Sequence, residues 1–176
     1  MTQGYLEFRQ GMPFFDMVGS FLIAIAGSPS IINEDNPMKL DKRHYVAIPG
    51  IVVPGRHIRP REVHDQVVKG HISQGQFLKS CCGMLANTAY ESVKEKNDLS
   101  PEFEFLRHVR HASSHENRFH FYPKEPSRPA EWRGARIDHL RKGTDNPLHD
   151  LECFGNIIGA ADIIDLLWDI ERKIAI

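Results

Sequence analysis

The chain has 176 residues, of which 41% are hydrophobic and 26% charged, and its formal net charge is −1. That apolar content excludes a disordered chain, and the length suffices for one domain with a buried core. The balanced charge excludes polyelectrolyte binding through net charge alone.

Phe14, Val18, Phe21 and Ile25 recur at spacings of three and four, which predicts an amphipathic core helix over 11–26. The apolar run 17–26 also resembles a short signal core. It is flanked by Glu7, Arg9 and Asp16 rather than a basic cluster, and it falls short of the roughly 20 residues of a membrane span. A membrane partner is therefore not expected. Residues 33–60 break pattern at Pro37, Pro49, Pro54 and Pro60, with short strands expected at 45–48 and 51–53. A long helical stretch follows over 61–96, with a kink or break expected where Gly70, Gly75 and Gly83 weaken it. Cys81 and Cys82 lie within it and Cys153 far beyond. Adjacent cysteines rarely bridge and no Cys-x-x-Cys is present, so free thiols in a reducing cytoplasm are expected.

The next helix has a clear start. Ser100 is a good N-cap, Pro101 suits the first turn, and Glu102 and Glu104 favour the positive end of the helix dipole. Phe103, Leu106 and Val109 supply its apolar face, and it is expected to run to about Phe119. A polar, proline-punctuated connection over 120–147 leads to a last helix over 148–174, apolar along Leu151, Phe154, Ile158, Ile164 and Leu167. The expected fold is all-α: a single domain over 1–176, built as a four- to five-helix up-and-down bundle with a short β segment near 45–53.

Chemistry concentrates on the Ser100 helix. Arg107, His108, Arg110, His111, His115 and Arg118 fall within about three turns, beside Ser113 and Ser114. Guanidinium forks suit phosphate, and imidazoles move protons near neutral pH. Together they can activate a ribose 2′-hydroxyl against its own phosphodiester without a metal, a reaction DNA cannot undergo. Nine Lys/Arg between Arg107 and Lys142 against four acids leave that stretch at about +5 in a chain of net −1. Such a footprint suits nucleic acid. Trp132 and Arg133, in the connection that follows, could stack a base or hold a phosphate, although such a tryptophan more often anchors its loop.

The run Arg110-His111-Ala112-Ser113-Ser114-His115 resembles the motif of the HEPN superfamily (higher eukaryotes and prokaryotes nucleotide-binding domain). That motif is an arginine, a polar residue, three variable positions and a histidine. The spacing alone is weak, since Arg59 and His64 repeat it; the polar residue after Arg110 and the helical setting strengthen it. The resemblance implies a helical bundle and a metal-independent endoribonuclease, of the kind found in toxin–antitoxin and anti-phage systems, with no cofactor and no metal. It implies Arg110 and His115 as the catalytic pair and His111 as the residue that assists them. It further implies an RNA substrate, a homodimer that completes the cleft, and an antitoxin or nucleotidyltransferase as the kind of partner it admits. Arg107, Ser114, Arg118, Trp132 and Arg133 are the expected substrate-binding residues. Two alternatives stay open: a non-catalytic module that binds RNA, nucleotide or protein, and a metal-binding bundle using His108, His111 and His115 opposite His57, His64 and His71.

Overall fold

The computed structural model describes residues 8–29 and 45–174. Residues 33–44 of the expected irregular stretch lie outside them. The described residues form five α-helices and two small antiparallel hairpins: α1 (Phe15–Gly27), β1 (Val46–Ile48), β2 (Arg56–Ile58), α2 (Pro60–Val68), α3 (Gln74–Val93), α4 (Pro101–Ser114), β3 (Ala130–Trp132), β4 (Ala135–Ile137) and α5 (Ala160–Ile174). The chain divides into two compact units, one comprising 22–78 and the other comprising 1–21 with 79–176. Among the described residues, no helix is long and apolar enough to cross a membrane.

In the 22–78 unit, β1 and β2 pair with Val46 opposite Ile58 and Ile48 opposite Arg56. The expected second strand at 51–53 is instead the exposed bend between them. A Cβ at Gly50 would sit 2.0 Å from the Val53 carbonyl oxygen, so the bend closes only around glycine. The long helix expected over 61–96 is two helices. After α2, Gly70 adopts φ +73°, and the amides of Gly70 and His71 donate to the Val67 and Gln66 carbonyls at 2.8 and 2.9 Å. That is the paired closure which ends helices at a left-handed glycine.

In the larger unit, α4 carries the core. Phe103, Phe105, Leu106, Val109 and Ala112 are all buried. α4 lies against β3 and α5, whose Ile163, Leu166, Leu167 and Ile170 are equally buried. Its start follows the sequence: the Ser100 hydroxyl oxygen accepts the Phe103 amide at 3.4 Å, and Pro101 opens the first turn. Its end does not. The helix stops at Ser114 rather than near Phe119, because His115 caps it and Glu116 and Asn117 both turn left-handed, at φ 56° and 64°. The Asn117 side-chain amide then clasps the Phe154 backbone. Its Oδ1 accepts the Phe154 N–H at 2.8 Å and its Nδ2 donates to the Phe154 carbonyl at 3.0 Å.

Beyond that clasp the chain runs extended. The Phe119 amide donates to the Leu151 carbonyl at 2.9 Å, and the Asp150 amide to the Phe119 carbonyl at 2.8 Å. Extended backbone alternates its side chains, so buried Phe119 and Phe121 point into the core while His120 and Tyr122 take the opposite side. The last helix starts at Ala160, not at 148. Gly155 at φ +106° interrupts the expected run, and Asp162 Oδ2 accepts the Gly159 amide at 2.7 Å to open α5.

The connection expected to be wholly irregular contains the second hairpin. Ala130 pairs with Ile137 and Trp132 with Ala135. Its two-residue turn is Arg133-Gly134, both at positive φ (43° and 89°), the geometry that matches strand twist.

Candidate functional site

The last turn of α4 and the paired segments after it bring together residues far apart in sequence. His111 and His115, four apart on the helix, meet edge to face with ring centroids 4.4 Å apart. His120 stacks on His115 at 5.2 Å and an angle of 20°, and His149 lies 5.2 Å from His120. Tyr122 closes the group, 5.6 Å from His111 and 5.5 Å from His120. Four imidazoles and a phenol thus form one contiguous patch. Asp150 adjoins it, its carboxylate 3.7 Å from His149 Nε2, and the Arg118 guanidinium donates to the Asp150 carbonyl at 2.5 Å.

Burial separates the roles of these rings. Partial burial lowers the pKa of His111, and charge on His115 lowers it further, so its neutral, proton-accepting form prevails near pH 7. His108 belongs to the core rather than the patch. It is 1% exposed, packs edge-on against Phe121, and burial next to the Arg107 guanidinium drives its pKa to about 3. Its Nε2 lies 3.0 Å from Arg107 Nη2. Because arginine only donates, that nitrogen accepts.

Arg110 faces the other way. Its Nη2 donates to Glu91 Oε1 on α3 at 2.8 Å and its guanidinium lies 5.9 Å from the Tyr90 ring centre. Ser114, one turn on, donates to Asn87 Oδ1 on α3 at 2.9 Å. Arg110 and Ser114 therefore address α3, while His111 and His115 address His120 and Tyr122. Among the described residues, no hydrogen bond or ring contact joins Arg110 to His115. The buried Nε of Arg110 has no hydrogen-bond partner, so this guanidinium keeps unused donor capacity.

The other expected substrate contacts divide. Arg118 is exposed beside the patch. Arg107 is instead held between two carboxylates, Glu104 and Glu125, each at 3.0 Å. Glu104 is 3% exposed, so Arg107 is engaged with a buried carboxylate within the fold. Trp132 is buried, and its indole N–H donates to Asp169 on α5 at 2.9 Å. The ring fastens the hairpin to α5, the anchoring role weighed for it beside base stacking. Arg133 stacks on Trp132, 5.0 Å from the ring centre, and pairs with Asp165 and Asp169 at 2.5 and 3.0 Å.

Of the histidines weighed as metal ligands, four have neighbours within their own unit. His108 is spent in the core. His57 packs on the Tyr45 ring, His64 neighbours Asp65, and His71 bonds Gln66 at 2.7 Å. The thiols offer no alternative chemistry: all three cysteines are free and buried, and burial raises Cys81, takes Cys82 to about 12 and raises Cys153.

His120, Tyr122, His149 and Asp150 escaped the sequence reading. Alternation in Phe119-His120-Phe121-Tyr122 was the available signal for two of them. His149 and Asp150 arrive through pairing between distant segments, which leaves no local trace. No protein-family model, curated protein or solved structure matches this chain.

Proposed function

We propose that this chain is a metal-independent endoribonuclease of the HEPN type, with its proton transfers carried by the imidazoles at the end of α4. The observation that supports the reading is the contact between His111 and His115, extended by His120 stacked on His115. RNA cleavage through the 2′-hydroxyl needs one base and one acid within reach of the same phosphate, and two adjacent imidazoles can supply both. His111, held neutral, takes the 2′-hydroxyl proton. The 2′-oxygen bonds to phosphorus, the bond from phosphorus to the 5′-oxygen breaks, and His115 delivers the proton to that leaving oxygen. The products are a 2′,3′-cyclic phosphate and a 5′-hydroxyl.

Charge on the non-bridging oxygens needs a guanidinium. Arg110 fills that role by exchanging its exposed pair with Glu91 for the phosphate, a trade favoured because surface ion pairs hold weakly while a bidentate arginine–phosphate pair is strong. Since Arg110 and His115 of one chain address different neighbours, the complete site requires a second copy, and the working form in this reading is a homodimer.

The test is cleavage of a defined RNA in excess EDTA with end-group analysis. Cyclic-phosphate ends are expected, with the rate falling roughly 100- to 10,000-fold in His115→Ala and strongly in Arg110→Ala. Intact RNA, or cleavage undiminished in both variants, overturns the reading.

A further inference from the structure

The mechanism above leaves His149 and Asp150 without a task. We propose that His120, His149 and Asp150 form a binding site for one divalent transition-metal ion of the zinc class. Each offers one ligand atom, and the three atoms lie within 4.8 Å of one another. Two imidazole nitrogens and one carboxylate oxygen form a donor set that suits Zn²⁺, Co²⁺ or Ni²⁺ and is poor for Mg²⁺ or Ca²⁺, which prefer all-oxygen shells.

The backbone, not chance proximity, sets this triangle. His120 and His149 stand on segments locked together by the hydrogen bonds between Phe119 and Leu151 and between Asp150 and Phe119. Asp150 is held left-handed at φ 62°, with its carbonyl gripped by Arg118. A non-glycine residue kept in that region costs free energy, and such positions gather at functional sites. The aspartate side chain is 76% exposed, so its carboxylate can swing to an ion without disturbing packing. His149 is nearly fixed, its side chain 12% exposed.

The same geometry sets the strength. The Phe121 amide lies 3.3 Å from His149 Nδ1 and donates to it. Ligation through Nε2 puts a proton on Nδ1, which then opposes that amide. Metal-bound histidines normally donate this second proton to an acceptor, and a faulty outer partner costs about 10- to 100-fold in affinity. With three ligands and that mismatch, the ion exchanges with solution; it is not a permanent structural metal. Its consequence rests on the ribonuclease reading: an ion on His120 fixes the ring stacked on His115 and brings positive charge to the catalytic imidazoles. Zinc therefore inhibits cleavage.

The experiment uses the full chain stripped with EDTA and then freed of it. Titration with Co²⁺ is followed by visible d–d absorption, and titration with Zn²⁺ by calorimetry. One ion per chain is expected for wild type, with at least a tenfold loss of affinity in His149→Ala and in Asp150→Asn, and none in His57→Ala or His71→Ala. Asparagine tolerates the left-handed backbone, so Asp150→Asn keeps the test valid should other changes at that position unfold the chain. RNA cleavage is then measured with and without Zn²⁺; inhibition in wild type and its loss in Asp150→Asn are expected. Binding without any ribonuclease activity leaves the metal site standing and defeats only the reading of function. Absence of Co²⁺ absorption, or affinity unchanged in both site variants, overturns the site whatever the activity.

Discussion

His108 gives the structure its most demanding test. A neutral imidazole is buried beside a permanent cation, and its folded-state pKa of about 3 stands against an ordinary value of 6.5. The unfolded chain binds this proton from about pH 6.5 downward, whereas the folded chain does not until about pH 3. Stability is therefore lost as pH falls through the unfolded value, approaching about 1.4 kcal/mol per pH unit, and the loss ends only near the folded value. Between pH 7 and pH 5 this one group removes about 2 kcal/mol, a large part of a margin that is commonly 5–15 kcal/mol. The perturbation is His108→Phe, which keeps an aromatic ring against Phe121 and removes both the titration and the buried Nδ1 that has no partner. Urea unfolding, read by fluorescence of Trp132 and Trp168, is measured for both proteins at pH 7, 6 and 5. Absolute stability of the variant can move in either direction, because Arg107 loses an acceptor while an unsatisfied polar atom is removed. The difference in pH dependence carries the test: the variant is expected to lose about 2 kcal/mol less than wild type between pH 7 and pH 5. If the two proteins lose the same amount, the imidazole is not held neutral and the description of the α4 core fails.

Other outcomes follow from the same contacts. Arg107→Ala removes the ion-pair partner of buried Glu104, leaving it only the Asn97 amide at 3.5 Å, and is expected to cost roughly 3–5 kcal/mol in denaturant unfolding, more than a surface arginine could. Asp169→Ala removes the acceptor of the Trp132 indole and one partner of Arg133; a loss of roughly 1–3 kcal/mol is expected, with RNA affinity at low salt unchanged. Because burial lowers the pKa of His111, the acid limb of the cleavage rate is expected below the ordinary imidazole range, and pH–rate profiles of His111→Asn should lack that limb. An acid limb kept by that variant would assign the base elsewhere.

What could be read from the sequence was local. Ser100, Pro101 and the acidic first turn announce the start of α4 because capping involves neighbours only. The end of α4 stayed hidden because it depends on Asn117 reaching Phe154, a contact between positions 37 apart. The helix expected from 148 failed for a related reason: Leu151, Phe154 and Ile158 have helical spacing, yet Gly155 and the pairing with 117–121 send Phe154 and Ile158 into the core by another path and leave Leu151 exposed. The candidate site repeats the lesson. His111 and His115 share a helical turn and were visible together, while Arg110, their neighbour in the motif, points to α3, and His149 reaches the patch only through the folded chain.

The Asn117 clasp has a consequence for which variants this protein can accept. One side-chain amide both accepts a hydrogen bond from the Phe154 N–H and donates one to the Phe154 carbonyl, in a backbone conformation few residues enter willingly. Aspartate would set a carboxylate against a carbonyl, serine is too short, and glycine keeps the turn while leaving both backbone groups stranded. Position 117 is thus a keystone that admits essentially one amino acid. Because it lies between His115 and His120, any lineage that exchanges it must rebuild the alignment of the histidines on either side.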